Sequence, residues 1–429
     1  MTRYVALSII LFMTFSPVSL FAGNITVEGG MMSKIRFEIE KLITTEQGVR
    51  VLTLTLVEPP SFSSPTSRQE VDRYSVRFLP EPDRRQEGFD DRGNHLMTAV
   101  WEYPPPVVVA RVTFELVNST ILTEITTNAP FPVKSTAGET AVYLEPTRLV
   151  QADDPSIRER SDALTRGSRT QFEAVHRVIS WVMENMSYVS PSPRCDARYS
   201  LECGRGNCQN YSHLCAALLR ASGIPVRIVN GITLKKPFHV RGKENSLTFR
   251  MGQGRHSWIE VWFPDLGWVP FDPYRTVMFV ANRFVRVEVG SDNSETVQDG
   301  RVRWTTEKNS GARSRSQETI SAEFPVDMVA LDGTDERIGP GSLLLCPPVG
   351  TVHEHVECEE MPVTVCAVPA MHSQPRSSFS SLRSGCDLSR TAHIGDSAAG
   401  VIDLGDGWFE EVRSGGDAAF SPSFLSICP

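Results

Sequence analysis

The chain lacks three features that would direct it toward membranes, nucleic acids or repeat architectures. No apolar run beyond its N-terminus is long enough to cross a bilayer, no dense basic run is present, and no internal repeat is found. The formal net charge is -8, from 43 Lys and Arg residues against 51 Asp and Glu residues. We therefore expect no stable membrane insertion and no nucleic acid partner.

The N-terminus has the pattern of a secretory signal peptide. Arg3 precedes an apolar run over residues 5–15, and Ser16 and Pro17 cut this run shorter than a membrane anchor requires. No cysteine follows the run as a lipid attachment point. Residues 1–22 are therefore predicted to be a signal peptide, and the protein is expected to be exported to the periplasm or the extracellular space.

The cysteine content agrees with export. Nine cysteines in an exported chain predict disulfides, and an odd count leaves at least one thiol unpaired within the chain. The oligomeric state cannot be read from these features.

The length predicts more than one domain. Alternating stretches such as "VLTLTLV" and "VVVARVTFELV" predict an N-terminal β domain at residues 24–135, in which no catalytic grouping is seen. Residues 143–300 are mixed, with helical patterns first and strand patterns later. The polar stretch "TTEKNSGARSRSQE" predicts a linker, placed at residues 301–322. A C-terminal module rich in β-strands and loops is expected at residues 323–429.

The C-terminal module contains five of the cysteines. Its stretch "HEHVEC" places His353, His355 and Cys358 close together, but this spacing matches no familiar zinc finger. Disulfides explain these cysteines better than a metal site does. We expect neither a metal nor a cofactor.

One cysteine lies at a predicted helix start. In "GRGNCQNYSHLCAALLRASGIPVR", residues 209–222 have a helical pattern, and Gly223 ends it. Cys208 thus lies where free N–H groups and the helix dipole favour a thiolate. Cys215 lies roughly 10 Å deeper on nearly the same face, too far to form a disulfide with Cys208, and is predicted to be a core residue.

A base for this thiol is found downstream. "GRHSWIEVWFPDLGWVPFDPYR" predicts a hairpin with strands at residues 256–263 and 268–272. Plausible turns place Asp272 one to three residues away from direct opposition to His256, so that a bulge or a twist would have to join the two side chains. Spacing alone leaves the pairing open.

The order of these elements resembles the transglutaminase-like superfamily of cysteine enzymes. The resemblance begins at "YLEPTRLVQADDP", continues through "WVMENMSY" and "GNCQNYSHLCAALLRASGIPVRIVNG", and ends at "RFVRVEVGSDNSETVQDG". It implies that Cys208 is the nucleophile, His256 the general base and acid, and Asp272 the residue that orients the histidine. No further site residue is assigned.

The resemblance also implies the fold and the activity. The fold class is α+β: a papain/transglutaminase-like core, with the cysteine-bearing helix packed on an antiparallel sheet, follows an N-terminal β-sandwich-like domain. The expected activity is that of a cysteine peptidase, amidase or protein acyltransferase acting through a Cys208 thioester. The expected partner is a protein or peptide substrate, and hydrolysis is favoured over cross-linking.

The sequence departs from the family pattern beside the three residues. Asn210 stands where an acidic residue is frequent, Ser257 stands where alanine is common, and "DPY" replaces "DPT". The backbone N–H of Cys208 supplies one oxyanion donor. Tyr188, Tyr199 and Gln209 are candidates for the second, and the sequence does not choose among them.

Two other functions remain open at this point. The protein could be a catalytically silent transglutaminase-like binding or scaffold protein of the cell envelope. It could also be a structural envelope protein in which Cys208 forms a disulfide with Cys203 or Cys195. Trp258, Trp262 and Trp268 could wall an acyl tunnel, but tryptophans on a sheet face are more often core residues.

Overall fold

The computed structural model describes residues 26–122, 127, 129–134, 138–241, 246–249, 252–274, 277–308, 310–334, 400–403 and 409–412. The predicted signal peptide and most of the predicted C-terminal module, including "HEHVEC", lie outside the described residues. Within the described ranges, no helix combines the length and the apolar character needed to cross a bilayer.

The described residues form helices and strands in the following chain order. The helices are the 3-10 helix η1 (Gly138–Leu144), α1 (Pro155–Thr165), α2 (Gln171–Asn185), α3 (Ala197–Cys203) and α4 (Cys208–Ala221). The strands are β1 (Thr26–Thr45), β2 (Val49–Glu58), β3 (Phe62–Ser63), β4 (Ser67–Leu79), β5 (Arg84–Phe89), β6 (His95–Glu102), β7 (Val107–Leu122), β8 (Ser187–Tyr188), β9 (Arg205–Gly206), β10 (Val226–Thr233), β11 (Phe238–Arg241), β12 (Ser246–Phe249), β13 (Gly254–Phe263), β14 (Gly267–Tyr274), β15 (Val277–Phe279), β16 (Phe284–Gly290), β17 (Arg301–Thr306), β18 (Ser314–Thr334), β19 (Gly400–Asp403) and β20 (Phe409–Val412).

The N-terminal residues form a β-sandwich. A seven-stranded sheet in the order β12-β11-β18-β1-β7-β4-β3 packs on a four-stranded sheet in the order β17-β2-β6-β5. On β1 and β2, alternate residues are apolar and point inward, as Phe37, Leu52 and Leu54 show. The rings of Phe37 and Phe114 stack with centroids 4.9 Å apart. The predicted sandwich is confirmed.

The predicted linker at residues 301–322 is wrong. β17 pairs with β2, and β18 pairs with β1 along almost its whole length, so both strands complete the sandwich. The mixed α and β section is therefore inserted between strands of the first domain. The sequence of β18 does not alternate clearly between apolar and polar residues. Two of its inward positions, Ser314 and Glu318, are polar although both are buried.

The inserted section is the α+β core that the sequence predicted. Its five-stranded antiparallel sheet has the order β15-β14-β13-β10-β16, and α4 packs against β10, β13 and β14. Helices α1, α2 and α3 also contact α4, which leaves residues 208–220 buried on every side. The helix that begins at Cys208 is therefore the centre of this domain.

Side-chain amides join the two domains. Gln69 of the sandwich bonds both the N–H and the C=O of Arg286 on β16, each at 2.9 Å. Asn94 bonds Val289 on the same strand in the same way, at 2.9 and 2.8 Å. Because these amides satisfy backbone groups at the free edge of β16, the sandwich covers that edge and holds the core sheet in place.

Candidate active site

The start of α4 is fixed by its own side chains. Asn207 is the N-cap, and its Oδ1 accepts from the N–H of Gln209 at 3.1 Å and of Asn210 at 3.5 Å. In return the N–H of Asn207 donates to Asn210 Oδ1 at 3.1 Å. A Cβ added to Gly206 would lie 2.2 Å from Cγ of Asn210, so only glycine fits there. This cap places Cys208 as the first residue of the helix.

The thiol of Cys208 is free and almost covered. Cys208 is not in a disulfide and is 5% exposed, so the site is less open than a helix start usually is. This finding removes the interpretation in which Cys208 merely forms a structural disulfide.

His256 and Asp272 are brought together at the end of the predicted hairpin. Strand β14 pairs with β13 with Ile259 opposite Phe271, so continuing this register would place Asp272 two residues from direct opposition to His256. The pairing of β14 with β15 shifts register after Phe271, which is the irregularity that the sequence required. His256 Nε2–H donates to Asp272 Oδ2 at 2.9 Å.

The pKa values of His256 and Asp272 depend on interactions among the three side chains. Burial lowers the pKa of His256, but the Asp272 carboxylate and a side-chain hydrogen bond with Cys208 outweigh it and raise the pKa to about 10. Since Asp272 occupies Nε2, the other ring nitrogen is left for the thiol. Burial raises the pKa of Asp272, and His256 and the N–H of Tyr274 oppose that change. The structure thus favours an imidazolium beside Cys208 at neutral pH.

Aromatic rings hold the imidazole from the side. Trp258 stacks on His256 with centroids 6.1 Å apart, and Phe284 meets it edge-on at 5.5 Å. Trp262 and Trp268 instead pair with each other, at 5.4 Å, near the turn of the hairpin. Of the three tryptophans, only Trp258 contacts a predicted catalytic residue, so they do not together wall a tunnel at Cys208.

The candidates for a second oxyanion donor differ in their surroundings. Tyr188 on β8 pairs with Gly206 on β9, two residues before Cys208, and burial and then the charge of Cys208 raise the pKa of its phenol. Tyr188 also meets the ring of Tyr274 edge-on at 5.0 Å. The hydroxyl of Tyr199 and Oε1 of Gln209 are buried without a hydrogen-bond partner among the described residues. Of these three candidates, Tyr188 is the one whose pKa the charge of Cys208 affects.

His213 is a buried polar residue of α4 that the sequence reasoning missed. Its Nδ1 lies 2.6 Å from the carbonyl oxygen of Cys195, and its Nε2 lies 3.1 Å from the N–H of Asn293. The first contact requires a donor and the second an acceptor, so the ring is neutral with the proton on Nδ1. Burial lowers its pKa, which agrees with this state. A histidine in an otherwise apolar run was the available signal.

Replacement of Cys215 with serine is expected to lower stability and to leave the thiol chemistry intact. Cys215 is fully buried, and burial raises the pKa of its thiol. A hydroxyl placed there without a partner costs about 1–3 kcal/mol. Urea unfolding measures this cost, and alkylation of Cys208 in the folded variant is the control. Loss of Cys208 reactivity at unchanged stability would contradict the core assignment.

Residues 158–273 match the family model of the transglutaminase-like superfamily. Two curated proteins align with a similar portion of the chain. One is protein YebA of Bacillus subtilis strain 168, 32% identical over 125 residues, which are 27% of this chain and 17% of YebA. The other is protein ML0607 of Mycobacterium leprae, 28% identical over 126 residues, which are 29% of this chain and 42% of ML0607. The chain therefore spans less than half the length of either relative.

One solved structure shares the fold over a longer stretch. A crystal structure from Cytophaga hutchinsonii, described as a candidate cysteine protease, aligns with a TM-score of 0.51 and 18% identity, covering 71% of this chain and 94% of that one. The periplasmic domain of TgpA from Pseudomonas aeruginosa aligns with a TM-score of 0.28 and 18% identity, covering 54% of this chain and 86% of that one. At these identities the first alignment shows the fold alone.

Proposed function

We propose that the protein is a thiol enzyme that cleaves or transfers amide acyl groups of peptides or proteins, because residues 158–273 match the family model of the transglutaminase-like superfamily. The observation that carries this proposal is the arrangement of Cys208, His256 and Asp272, in which protonated His256 donates hydrogen bonds to the Cys208 sulfur and, at 2.9 Å, to the Asp272 carboxylate. A free thiol at a helix N-terminus beside an imidazolium is a competent nucleophile.

The residues divide the reaction between them. The Cys208 thiolate attacks the carbonyl carbon of an amide, and His256 donates its proton to the leaving nitrogen as the C–N bond breaks. A thioester remains on Cys208. His256 then takes a proton from the incoming water or amine, whose attack releases a carboxylic acid or a new amide and restores the thiolate. Asp272 keeps the imidazole oriented and stabilises its charge.

The oxyanion of the tetrahedral intermediate needs two donors. The backbone N–H of Cys208, at the first turn of α4, has no partner within the helix and supplies the first donor. We assign the second to the hydroxyl of Tyr188, because this residue pairs with Gly206, two residues before Cys208, and the charge of Cys208 raises its pKa.

Hydrolysis is favoured over transfer to an amine. Transfer requires that water be kept from the thioester. A tunnel walled by Trp258, Trp262 and Trp268 would exclude water. Trp262 and Trp268 lie near the hairpin turn instead. With the N-terminal apolar run and the acidic balance of the chain, we propose an exported hydrolase acting on protein or peptide amides in the periplasm or outside the cell.

A non-specific acyl donor tests the proposal without knowledge of the natural substrate. Incubation with p-nitrophenyl acetate should place an acetyl group on Cys208, detected by intact mass and peptide mapping. The adduct should appear in the wild type and in Cys215→Ala, which keeps the reactive thiol, and should be absent in Cys208→Ala. Its decay in water, compared with its decay in the presence of methylamine, separates hydrolysis from transfer.

A negative result would change the assignment. If wild type gains no acetyl group and its Cys208 reacts with iodoacetamide no faster than free cysteine, the enzyme proposal fails. The silent binding or scaffold protein would then be the better interpretation.

A further inference from the structure

The helix that carries Cys208 and the strand that carries His256 are joined by a hydrogen bond close to both residues. Ser212 lies one helical turn after Cys208, and Ser257 directly follows His256. The Ser212 hydroxyl donates to the carbonyl oxygen of Ser257 at 3.0 Å. Both serines are buried, so no water replaces this partner when the bond is lost.

A second path joins the same two elements through Asn293. The Ser257 hydroxyl donates to Asn293 Oδ1 at 3.1 Å. The N–H of Asn293 in turn donates to Nε2 of His213, the helix residue next to Ser212, at 3.1 Å. Two neighbouring residues of α4 are therefore tied to one residue of β13, which restricts both the distance and the rotation of the helix relative to the strand.

This connection lies where the sheet gives β13 less support. The pairing of β13 with β14 runs from Ile259 to Phe263, whereas the pairing with β10 continues through Ser257 and His256. At Ser257 and His256, β13 pairs with β10 on one side, and its other contact is with α4 instead of β14. The position of His256 relative to Cys208 therefore depends on the contact between helix and strand.

We propose that Ser212 is a positioning residue, which holds α4 against β13 so that the thiol of Cys208 and the imidazole of His256 stay within hydrogen-bond reach. Ser212 contacts neither the thiol nor the imidazole in any recorded bond and acts through the backbone of Ser257. This inference rests on the proposed function, since it concerns the geometry of the same thiol and imidazole. Small displacements of such pairs have large effects on reactivity.

The chain offers a matched control for the test. Ser161 on α1 is also buried, and its hydroxyl donates to the carbonyl oxygen of Leu218 at the far end of α4, at 2.7 Å. Ser161→Ala and Ser212→Ala each remove one buried bond between a hydroxyl and a carbonyl at α4. If Ser212 had only a structural role, both variants would have the same effect on the reactivity of Cys208.

The measurement is the rate at which iodoacetamide alkylates Cys208, mapped by mass spectrometry, together with urea unfolding of each variant. We expect both variants to lose similar stability. At about pH 6, where a free thiol is almost entirely protonated, Ser212→Ala should lower the alkylation rate about tenfold, and Ser161→Ala should leave it unchanged. At about pH 9 the difference should shrink, because a thiol ionises there without help from an imidazolium.

The possible results separate this inference from the proposed function. Equal rates at about pH 6 for wild type and Ser212→Ala, or an equal fall in Ser161→Ala, would overturn the positioning role while the enzyme proposal stands. A wild-type rate at that pH no higher than that of free cysteine would overturn both. Should Ser212→Ala fail to fold, Ser212→Cys keeps a side chain of similar size but is a weaker donor to the carbonyl oxygen of Ser257. It should lower the alkylation rate of Cys208 a few-fold, and an unchanged rate would count against the inference.

Discussion

Replacement of His256 with alanine is expected to lower the turnover of an amide or ester substrate by about 10⁴-fold or more, with the fold preserved. The imidazole is both the cation that pairs with Cys208 and the donor of the proton to the leaving group. Its removal takes away both of these functions at once. The measurement is kcat/KM for the same acyl donor, with circular dichroism as the control for folding.

The Asp272→Asn variant separates orientation from proton transfer. An asparagine keeps the shape but not the charge, so the pKa of His256 should fall from about 10 toward its ordinary value of 6.5. Turnover should drop by orders of magnitude, because the imidazole is then neither held nor charged as before.

The raised pKa of His256 also predicts how stability depends on pH. The folded pKa of about 10 lies above the unfolded value of 6.5, so the pair stabilises the protein fully below that lower value and loses its contribution as pH rises toward 10. The free energy of unfolding of the wild type should therefore decline across this range. The decline should be absent in His256→Ala and reduced in Asp272→Asn. Parallel curves for the three proteins would mean that no ion pair exists.

The residues of the candidate site could be predicted because each lies on an element with a local signature. A polar cap before an apolar helix indicates the position of Cys208, and a strand with alternating tryptophans, closed by a turn, indicates that of His256. The predicted hairpin puts Asp272 one to three residues from direct opposition to His256, and the observed pairing gives an offset of two. The joining contact depended on a local break in strand pairing, which no sequence pattern shows.

The parts that could not be predicted are contacts between polar residues far apart in the chain. Ser257 departs from the family pattern, and the sequence gives no structural reason for this serine. Its carbonyl in fact receives the hydroxyl of Ser212. Asn293 had no signal at all, because an amide in a loop resembles a surface residue until its partners are known. The linker error has the same origin, since the inward positions of β18 include Glu318, whose partner lies on another domain.

Replacement of Arg255 with methionine is expected to cost about 3–5 kcal/mol of unfolding free energy, because it removes the cation at the centre of a buried ion cluster. Arg255 directly precedes His256 on β13 and is 4% exposed. Its guanidinium donates to both carboxylate oxygens of Glu318 on β18, at 3.3 and 3.2 Å, and also contacts Asp299. The variant would leave two buried carboxylates with Lys41 alone, whose Nζ lies 3.6 Å from Glu318.

The protonation of Glu318 agrees with this dependence. Burial alone would raise the pKa of Glu318, yet Arg255 and Lys41 hold it below the ordinary value. The cluster therefore keeps a charged carboxylate between the sandwich and the core. Since Arg255 is the neighbour of His256, the same contacts anchor the end of the strand on which the histidine lies.

An exposed arginine of the sandwich provides the control. The side chain of Arg36 pairs with Glu115 at 3.1 Å but is 56% exposed. Arg36→Met should therefore cost less than about 1 kcal/mol, because water screens this pair and Glu115 keeps Lys34 as a partner at 3.2 Å. Urea unfolding compares the two variants. Adding Asp299→Asn to Arg255→Met should recover part of the loss, because the remaining buried carboxylate of Glu318 keeps Lys41 as its partner. A cost for Arg255→Met no larger than that for Arg36→Met would show that water reaches the cluster and that it does not hold β13 to the sandwich.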